Sequence, residues 1–228
     1  EEKYVVLKNN FSSINYRDIL AVNGNFSVAR RFPYCPGVDA SGRIVISNST
    51  KFQCDDEVAF WSAPSHLLYP GGWSKYVIVH ESLLFKIPKG WDCQTISSVG
   101  TAGFAAALGI ASIMINIGES VLNKKLLVTG ASGGVGSIAS IIGMSLGFHI
   151  TAQTRSEYKK KFLESLNILD LEVIDKLDFQ HKQNLLKPEF DSLFDTVGGD
   201  VLVHGLKRLS NCGAAASAGL VLNQSLPD

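Results

Sequence analysis

Two textures of apolar and polar residues follow one another along the chain. From Tyr4 to Pro88 the apolar positions fall in short runs, rich in β-branched and aromatic side chains. Tyr4-Val5-Val6-Leu7, Val38 to Ile46 and Gly72 to Val79 read as strands. Pro33, Pro36, Gly37, Pro64, Pro70 and Gly71 punctuate them. The pattern predicts one helix in this half, Asn15 to Val22, entered from Ser12-Ser13. After Ile96 the period changes. A long helical run reaches Ile117, and then strands and helices alternate. Strands are predicted at Leu126 to Thr129, Phe148 to Thr154, Glu172 to Ile174, Ser192 to Thr196 and Gly213 to Ser217. The helices between them fall at Val135 to Leu146, Glu157 to Leu166 and Asp200 to Leu209. This alternation implies right-handed βαβ units around a parallel sheet. The expected architecture is therefore α/β: a β-rich domain over residues 1–95, then a doubly wound parallel sheet over residues 96–228.

Composition narrows the classes of function. The 228 residues are 46% hydrophobic, enough for the cores of two domains. Lys+Arg and Asp+Glu both number 21, so the net charge is zero. That balance argues against nucleic acid or an anionic membrane surface as a partner, since both leave a basic face. Cys93 to Gly118 and Leu126 to Thr154 carry no Asp, Glu, Lys or Arg, but Gly, Ser, Thr and Asn interrupt both. A spanning helix needs ~20 mostly apolar residues, so buried helices and strands are expected instead. Glu1-Glu2-Lys3 runs straight into a strand-like segment, with no secretory leader ahead of it. Cys35, Cys54, Cys93 and Cys212 are scattered, as in thiols of a reducing compartment. A cytoplasmic location is expected.

The strongest local signal is Thr129-Gly130-Ala131-Ser132-Gly133-Gly134-Val135-Gly136, between a strand and a helix. Glycines there permit a tight turn and let backbone N–H groups approach a pyrophosphate, and the helix N-terminus adds partial positive charge. As G-x-G-x-x-G the motif is imperfect, because Ala131 holds a glycine position. A nucleotide-hydrolase loop would need a lysine that Val135-Gly136-Ser137 lacks. A short-chain dehydrogenase would need a downstream Tyr-x-x-x-Lys, and Phe162 stands four residues after Tyr158. Gly130 to Gly134 also satisfies G-x-S-x-G, the nucleophile elbow of α/β-hydrolases, with Ser132 as nucleophile and Asp195 and His204 following in triad order. The additional Gly134 and Gly136 favour a loop hugging phosphates.

The end of the next strand indicates which dinucleotide. NAD enzymes place an acid there for the ribose 2′-hydroxyl. Here the chain reads Thr151-Ala152-Gln153-Thr154-Arg155-Ser156, with Lys159, Lys160 and Lys161 close behind. Thr154, Arg155, Ser156 and Lys159 suit a 2′-phosphate, so NADP(H) is the expected cofactor. The alternative for the lysines is a solvated helix face.

Read in order, several further segments carry a resemblance: Ser13-Ile14-Asn15-Tyr16-Arg17-Asp18, Arg31-Phe32-Pro33, Pro36 to Gly42, Asp56-Glu57-Val58 and Gly71-Gly72-Trp73. Gly100-Thr101-Ala102-Gly103-Phe104, the glycine loop and Asp195-Thr196-Val197-Gly198-Gly199 complete the set. The chain resembles the zinc-free quinone oxidoreductases of the medium-chain dehydrogenase/reductase superfamily, within them the YhdH/YhfP branch that includes acryloyl-CoA reductases. The resemblance implies a GroES-like catalytic domain followed by a Rossmann domain. It also implies that both are truncated, with strands missing before Glu1 and after Gly219, and that the full-length protein forms a homodimer through an edge strand. Zinc-dependent relatives carry Gly-His-Glu where this chain has Gly37-Val38-Asp39, and no His sits at a metal-site spacing from a Cys, so no metal is expected.

The chemistry implied is NADPH-dependent reduction of an activated C=C bond in a small-molecule quinone, enone or acyl thioester, by hydride transfer without zinc. The family pattern places Asn15, Tyr16 and Asp18 near nicotinamide and substrate, with Tyr16 as hydrogen-bond or proton donor to the enolate. The alternative is that Asn15 caps the helix and Tyr16 packs on the β domain. Asp39 either orients polar groups or closes a turn. Thr101 meets the nicotinamide side or serves close packing. Ser132, Gly133, Gly134 and Val135 would hold the pyrophosphate, and Asp195 and Val197 lie where ligands bind in open α/β sheets. A non-catalytic NADP(H)-binding protein is the other class the same residues allow.

Overall fold

The computed structural model describes residues 3–26, 28–29, 33–62, 68–118, 120–173 and 187–219. Two compact units part between Phe104 and Ala105. Sequence placed the boundary at 95/96; both positions lie inside one long helix. Arg31 and Phe32, residues 63–67 and Ile174 fall outside the described residues.

The first unit holds β1 (Tyr4–Phe11), α1 (Tyr16–Val22), β2 (Ala40–Ser47), β3 (Glu57–Phe60), β4 (Leu68–Tyr69), β5 (Tyr76–His80) and β6 (Phe85–Lys86). They form an antiparallel sheet in the order β4-β5-β1-β2-β3-β6. Alternation along the strands sends Val5, Leu7, Ile44, Val58, Val77 and Val79 into one core with Phe60. Two predicted strands begin later than expected, at Ala40 and Tyr76, and the cause is a backbone contact. Residues 35–37 run beside residues 71–73, where Gly71, Gly72 and Trp73 N–H donate to the carbonyls of Cys35, Gly37 and Pro36 at 3.1, 2.8 and 3.0 Å. A Cβ on Gly37, whose φ is +107°, would collide with Trp73 N, and one on Gly72 would collide with the Asp39 carbonyl. Only glycine allows the approach.

Helix α2 (Cys93–Ile117) leads into the second unit. It is long and apolar enough to cross a membrane by length and composition. It is broken at Gly100 (φ +52°, ψ −159°), and Ala106, Ile110 and Ile113 pack into the second core. The second unit continues with β7 (Lys125–Val128), α3 (Gly134–Leu146), β8 (His149–Thr154), α4 (Glu157–Ser165), β9 (Asp170–Val173), β10 (Phe190–Asp195), α5 (Gly199–Leu206) and β11 (Leu209–Ser217). The strands pair in parallel in the order β11-β10-β7-β8-β9. Central β7 explains the continuous apolar run: Leu126 and Val128 face Ala106, Ile110 and Ala139, while Leu127 joins Leu193 and Leu202 in a second cluster. A strand covered on both faces is buried on both faces.

One buried ion cluster ties this sheet together. The Arg208 guanidinium, with its side chain 8% exposed, forks onto Glu172 at 2.7 and 2.5 Å, reaches Glu189 at 2.8 Å and lies 4.6 Å from the Phe190 ring centre. Burial opposes its charge, but the carboxylates outweigh burial and hold it protonated well above the usual arginine range. Arg208→Met should lower unfolding free energy by about 2–3 kcal/mol in urea titration. That is at or below the low end for breaking a buried pair, because Glu189 keeps access to water. A loss under ~0.5 kcal/mol would show that the cluster adds nothing net.

Candidate functional site

In the parallel sheet the chain steps from β7 to β8 and β9 on one side, and places β10 and β11 on the other. The C-terminal ends of β7 and β10 thus form a topological switch point, where open α/β sheets bind ligands. The glycine loop follows β7, and Thr196-Val197-Gly198 follows β10. Gly130 takes φ +59°, and a Cβ there would lie 2.8 Å from Val197 Cγ2 and collide with Thr196 Oγ1. A Cβ on Gly136 would come within 2.5 Å of the Gly130 carbonyl, so the first turn of α3 sits directly on the loop. Ala131, the residue that broke the glycine pattern, is wholly buried in the core, and its N–H donates to the Gln153 carbonyl at 3.0 Å. A methyl group is accommodated because it faces the core.

Helix α3 begins with exposed Gly133 and Gly134 and no side-chain cap. Ser137 is the first residue to donate back, to Gly133 at 2.9 Å, which leaves the N–H groups of Gly134, Val135 and Gly136 without helical acceptors. Across the loop, Ser132 Oγ lies 3.2 Å from Thr154 Oγ1 at the end of β8. Arg155 and Lys159 are exposed, and neither makes an ion pair among the described residues; Ser156 is the N-cap of α4. These groups fit a dinucleotide: orphan N–H groups for pyrophosphate, and free cations where a 2′-phosphate would lie.

Asp195 is different. It is wholly buried; Oδ1 accepts from Thr129 Oγ1 at 2.5 Å, and Oδ2 accepts from Gly198 N at 2.9 Å and Ser217 Oγ at 3.3 Å. Thr129 Oγ1 accepts in turn from Thr196 N at 3.2 Å. Expected as a cofactor contact, Asp195 instead clamps the ends of β7, β10 and β11, and half-buried Val197 and Thr196 stand at the crevice. The hydrolase alternative fails on the same geometry. The positive φ of the turn belongs to Gly130 rather than Ser132, and Asp195 spends its oxygens on the clamp.

In the first unit a second buried carboxylate organises the expected catalytic residues. Asp39 is 1% exposed and accepts from Ser13 N at 2.8 Å, Ser13 Oγ at 2.6 Å, Asn15 Nδ2 at 2.9 Å and Thr101 N at 3.0 Å. The Thr101 bond explains the break at Gly100: a new helical segment starts there, and the carboxylate caps its N-terminus. Thr101 Oγ1 accepts from Ser62 N at 2.9 Å. Asn15 Nδ2 also donates to Ser13 Oγ at 3.0 Å, so both its hydrogens are committed. Since Asp39 can only accept, the amide orientation is forced, and the Asn15 oxygen is left as an acceptor. Asn15 is the N-cap residue of α1 and shares a capping box with Asp18, and its Nδ2 turns to Asp39. Tyr16 is half exposed.

Asp18, expected beside the substrate, is an anchor. It is wholly buried, and its oxygens accept from the backbone N–H groups of Gly37 at 2.9 Å, Val38 at 3.2 Å and Asn15 at 3.0 Å. Burial, then the Asp18 charge, pushes the nearby Tyr34 phenol above its usual range despite Arg17. Among the described residues no three His, Cys, Asp or Glu side chains gather as metal ligands would.

Residues 1–89 match the alcohol dehydrogenase GroES-like domain family. The chain is 33% identical over 225 residues to the putative quinone oxidoreductase YhfP of Bacillus subtilis (strain 168), across 98% of this chain and 67% of that protein. This chain belongs to the zinc-free quinone oxidoreductase branch of the medium-chain dehydrogenase/reductase superfamily. It is also 32% identical over 219 residues to the probable acrylyl-CoA reductase AcuI of Escherichia coli (strain K12), across 95% of this chain and 66% of that protein. The chain therefore spans just under two thirds of that relative's length. Among solved structures it superposes on E. coli K-12 YhdH with bound NADPH at a TM-score of 0.88, with 32% identity, covering 98% of this chain and 68% of the other. The structure of B. subtilis YhfP with NAD bound matches at 0.84, with 32% identity and the same two coverages. The branch membership agrees with the antiparallel and parallel sheets.

Sequence reasoning passed over Ser13 and Thr129. Both are short hydroxyl residues bonded to a buried carboxylate, and the available signal was a hydroxyl and an acid at the ends of facing segments. Asp39→Ala would leave the Ser13, Asn15 and Thr101 donors without their acceptor. A loss of about 3 kcal/mol in chemical denaturation is expected, from several desolvated groups at ~1–3 kcal/mol each. Stability within ~0.5 kcal/mol of the parent would mean that Asp39 merely closes a turn.

Proposed function

We propose that the chain carries an NADPH-dependent reductase of activated C=C bonds that works without zinc, acting on an enoyl thioester, enone or quinone. The observation that carries this reading is the arrangement after β8. Exposed Arg155 and Lys159 and the N-cap Ser156 follow the strand where an NAD site would present an acid, beside three N–H groups of α3 that have no helical acceptor. Support comes from relatives that carry quinone oxidoreductase and acrylyl-CoA reductase names.

Bound NADPH would supply the hydride for the substrate's β-carbon. The chain's own groups do the rest. Gly134, Val135 and Gly136 N–H would take the pyrophosphate, Ser132 and Thr154 would flank it, and Arg155 with Lys159 would neutralise the 2′-phosphate. In the first unit, Tyr16 offers a phenolic O–H to the oxygen on which negative charge develops, while Asp39 holds Asn15 with its carbonyl oxygen as an acceptor.

Fluorescence titration should show NADPH binding tighter than NADH. Arg155→Ala should weaken NADPH by about tenfold, the value of one charge-assisted contact, and leave NADH nearly unchanged. Equal losses for both would reject the 2′-phosphate assignment. Tyr16→Phe should reduce turnover by about 10²-fold or more, with NADPH affinity within about twofold of the parent. Unchanged turnover would remove Tyr16 as donor, and absence of turnover in the parent together with tight NADPH binding would favour a binding protein.

A further inference from the structure

Helix α1 ends in a cap whose sequence is chemically reactive. Asn23 closes the helix at φ −78°, ψ 8°, and Gly24 follows in the left-handed region at φ +75°. Gly24 N–H donates to the Ala21 carbonyl at 3.0 Å, and Asn25 N–H donates to the Leu20 carbonyl at 3.0 Å. This pair of bonds is a Schellman cap, and its left-handed position favours glycine. The chain thereby acquires Asn23-Gly24, its one Asn-Gly pair.

An Asn-Gly pair can close a ring on itself. The glycine nitrogen gives up its proton to base and attacks Asn23 Cγ. A C–N bond forms, the side-chain amide leaves as ammonia, and a succinimide results. Glycine permits this because no Cβ crowds the attacking nitrogen. Water then opens the ring at either carbonyl. One opening gives aspartate; the other gives isoaspartate, in which the main chain runs through the former side chain. Nothing is oxidised or reduced.

The closed cap holds Gly24 N–H against Ala21, so the reaction requires the end of α1 to open. Three observations make opening cheap. Of the seven residues of α1 only Asp18 and Ala21 are buried, and Val22 beside the cap is 60% exposed. Asn23 itself is exposed, and no heavy atom lies within 4 Å of where a Gly24 Cβ would stand. The last turn carries no basic residue to offset the negative end of the helix dipole.

We infer that Asn23 is a site of spontaneous deamidation and that its isoaspartate product dismantles the end of α1. The added methylene falls inside both hydrogen-bonded rings of the cap, so neither keeps its geometry. Either product also places a carboxylate at the C-terminal end of the helix, where the dipole repels it. Tyr16 stands at the other end of the same short helix. The inference is independent of the reductase reading.

The test incubates the folded chain in warm, mildly alkaline buffer, beside the chain unfolded in urea. The tryptic peptide Asp18–Arg30 is followed by mass spectrometry. In the folded chain, conversion is expected at Asn23 ahead of every other asparagine. Its rate should lie within about tenfold of the unfolded chain's, the cost of opening a frayed end. Asn23→Gln should abolish conversion over that interval, and Asn25→Gln should leave it unchanged. The isoaspartate form, separated by its added negative charge, should lose hydrogen-exchange protection at the Gly24 and Asn25 amides, while the β1 amides keep theirs. A folded chain that keeps Asn23 intact while the unfolded chain converts overturns the inference, as does conversion led by another asparagine. Unchanged protection in the isoaspartate form overturns the claim that the cap is dismantled.

Discussion

A carboxylate taken out of water must be surrounded by donors, and both units are arranged around that requirement. Asp39 and Asp18 in the first unit and Asp195 in the second are buried, and each meets backbone N–H groups or hydroxyls from segments far apart in sequence. The segments so gathered are those that carry the candidate chemistry: the Ser13–Asn15 loop, the start of the helical segment at Thr101, and the strand ends at the switch point. An isolated buried charge would cost many kcal/mol, so none of these loops can depart alone. Order in the functional loops is thus a consequence of electrostatics more than of apolar packing.

The apolar pattern made most of the fold legible. Parallel β7, β8 and β10 appeared as continuous or β-branched runs, and the intervening helices were found to within a few residues at each end. Short strands were less visible. Glu57–Phe60 and Phe85–Lys86 are too brief to show alternation, and only pairing with β2 and β3 defines them. Gly72 to Lys75 looked extended because its composition suits a strand, yet the backbone contact with residues 35–37 bends it into a turn. The break at Gly100 was hidden for a related reason. Its cause is Asp39, 61 residues earlier in the chain, and local propensity carries no trace of it.

For the candidate site the legibility divides by chemistry. A glycine loop between strand and helix, and a missing acid after the next strand, are local features, and the expectation for Ser132 to Val135 and for Thr154, Arg155, Ser156 and Lys159 rests on them. The aspartates were singled out, and their donors define what each holds: Asp39 orients polar groups, one of its two expected roles, while Asp18 and Asp195 are bonded to backbone N–H groups. A sequence shows that an acid is present but does not show whether water can reach it. Asp18 and Asp195 became anchors once their donors were visible. The orientation of Asn15 is likewise a property of its neighbours.

The contact between residues 35–37 and 71–73 separates architecture from recognition. It is made by backbone atoms and enforced by glycines, and the Ser74 hydroxyl, donating to the Gly71 and Tyr76 carbonyls, braces the turn that follows. The Trp73 indole N–H donates to the Ser13 carbonyl, whereas the exposed Lys75 side chain projects from a frame that would survive its replacement. Substitution at Lys75 can therefore change the charge of this face at little structural risk, while the glycines beneath stay fixed. The turn is rigid in its conformation and free in its vocabulary.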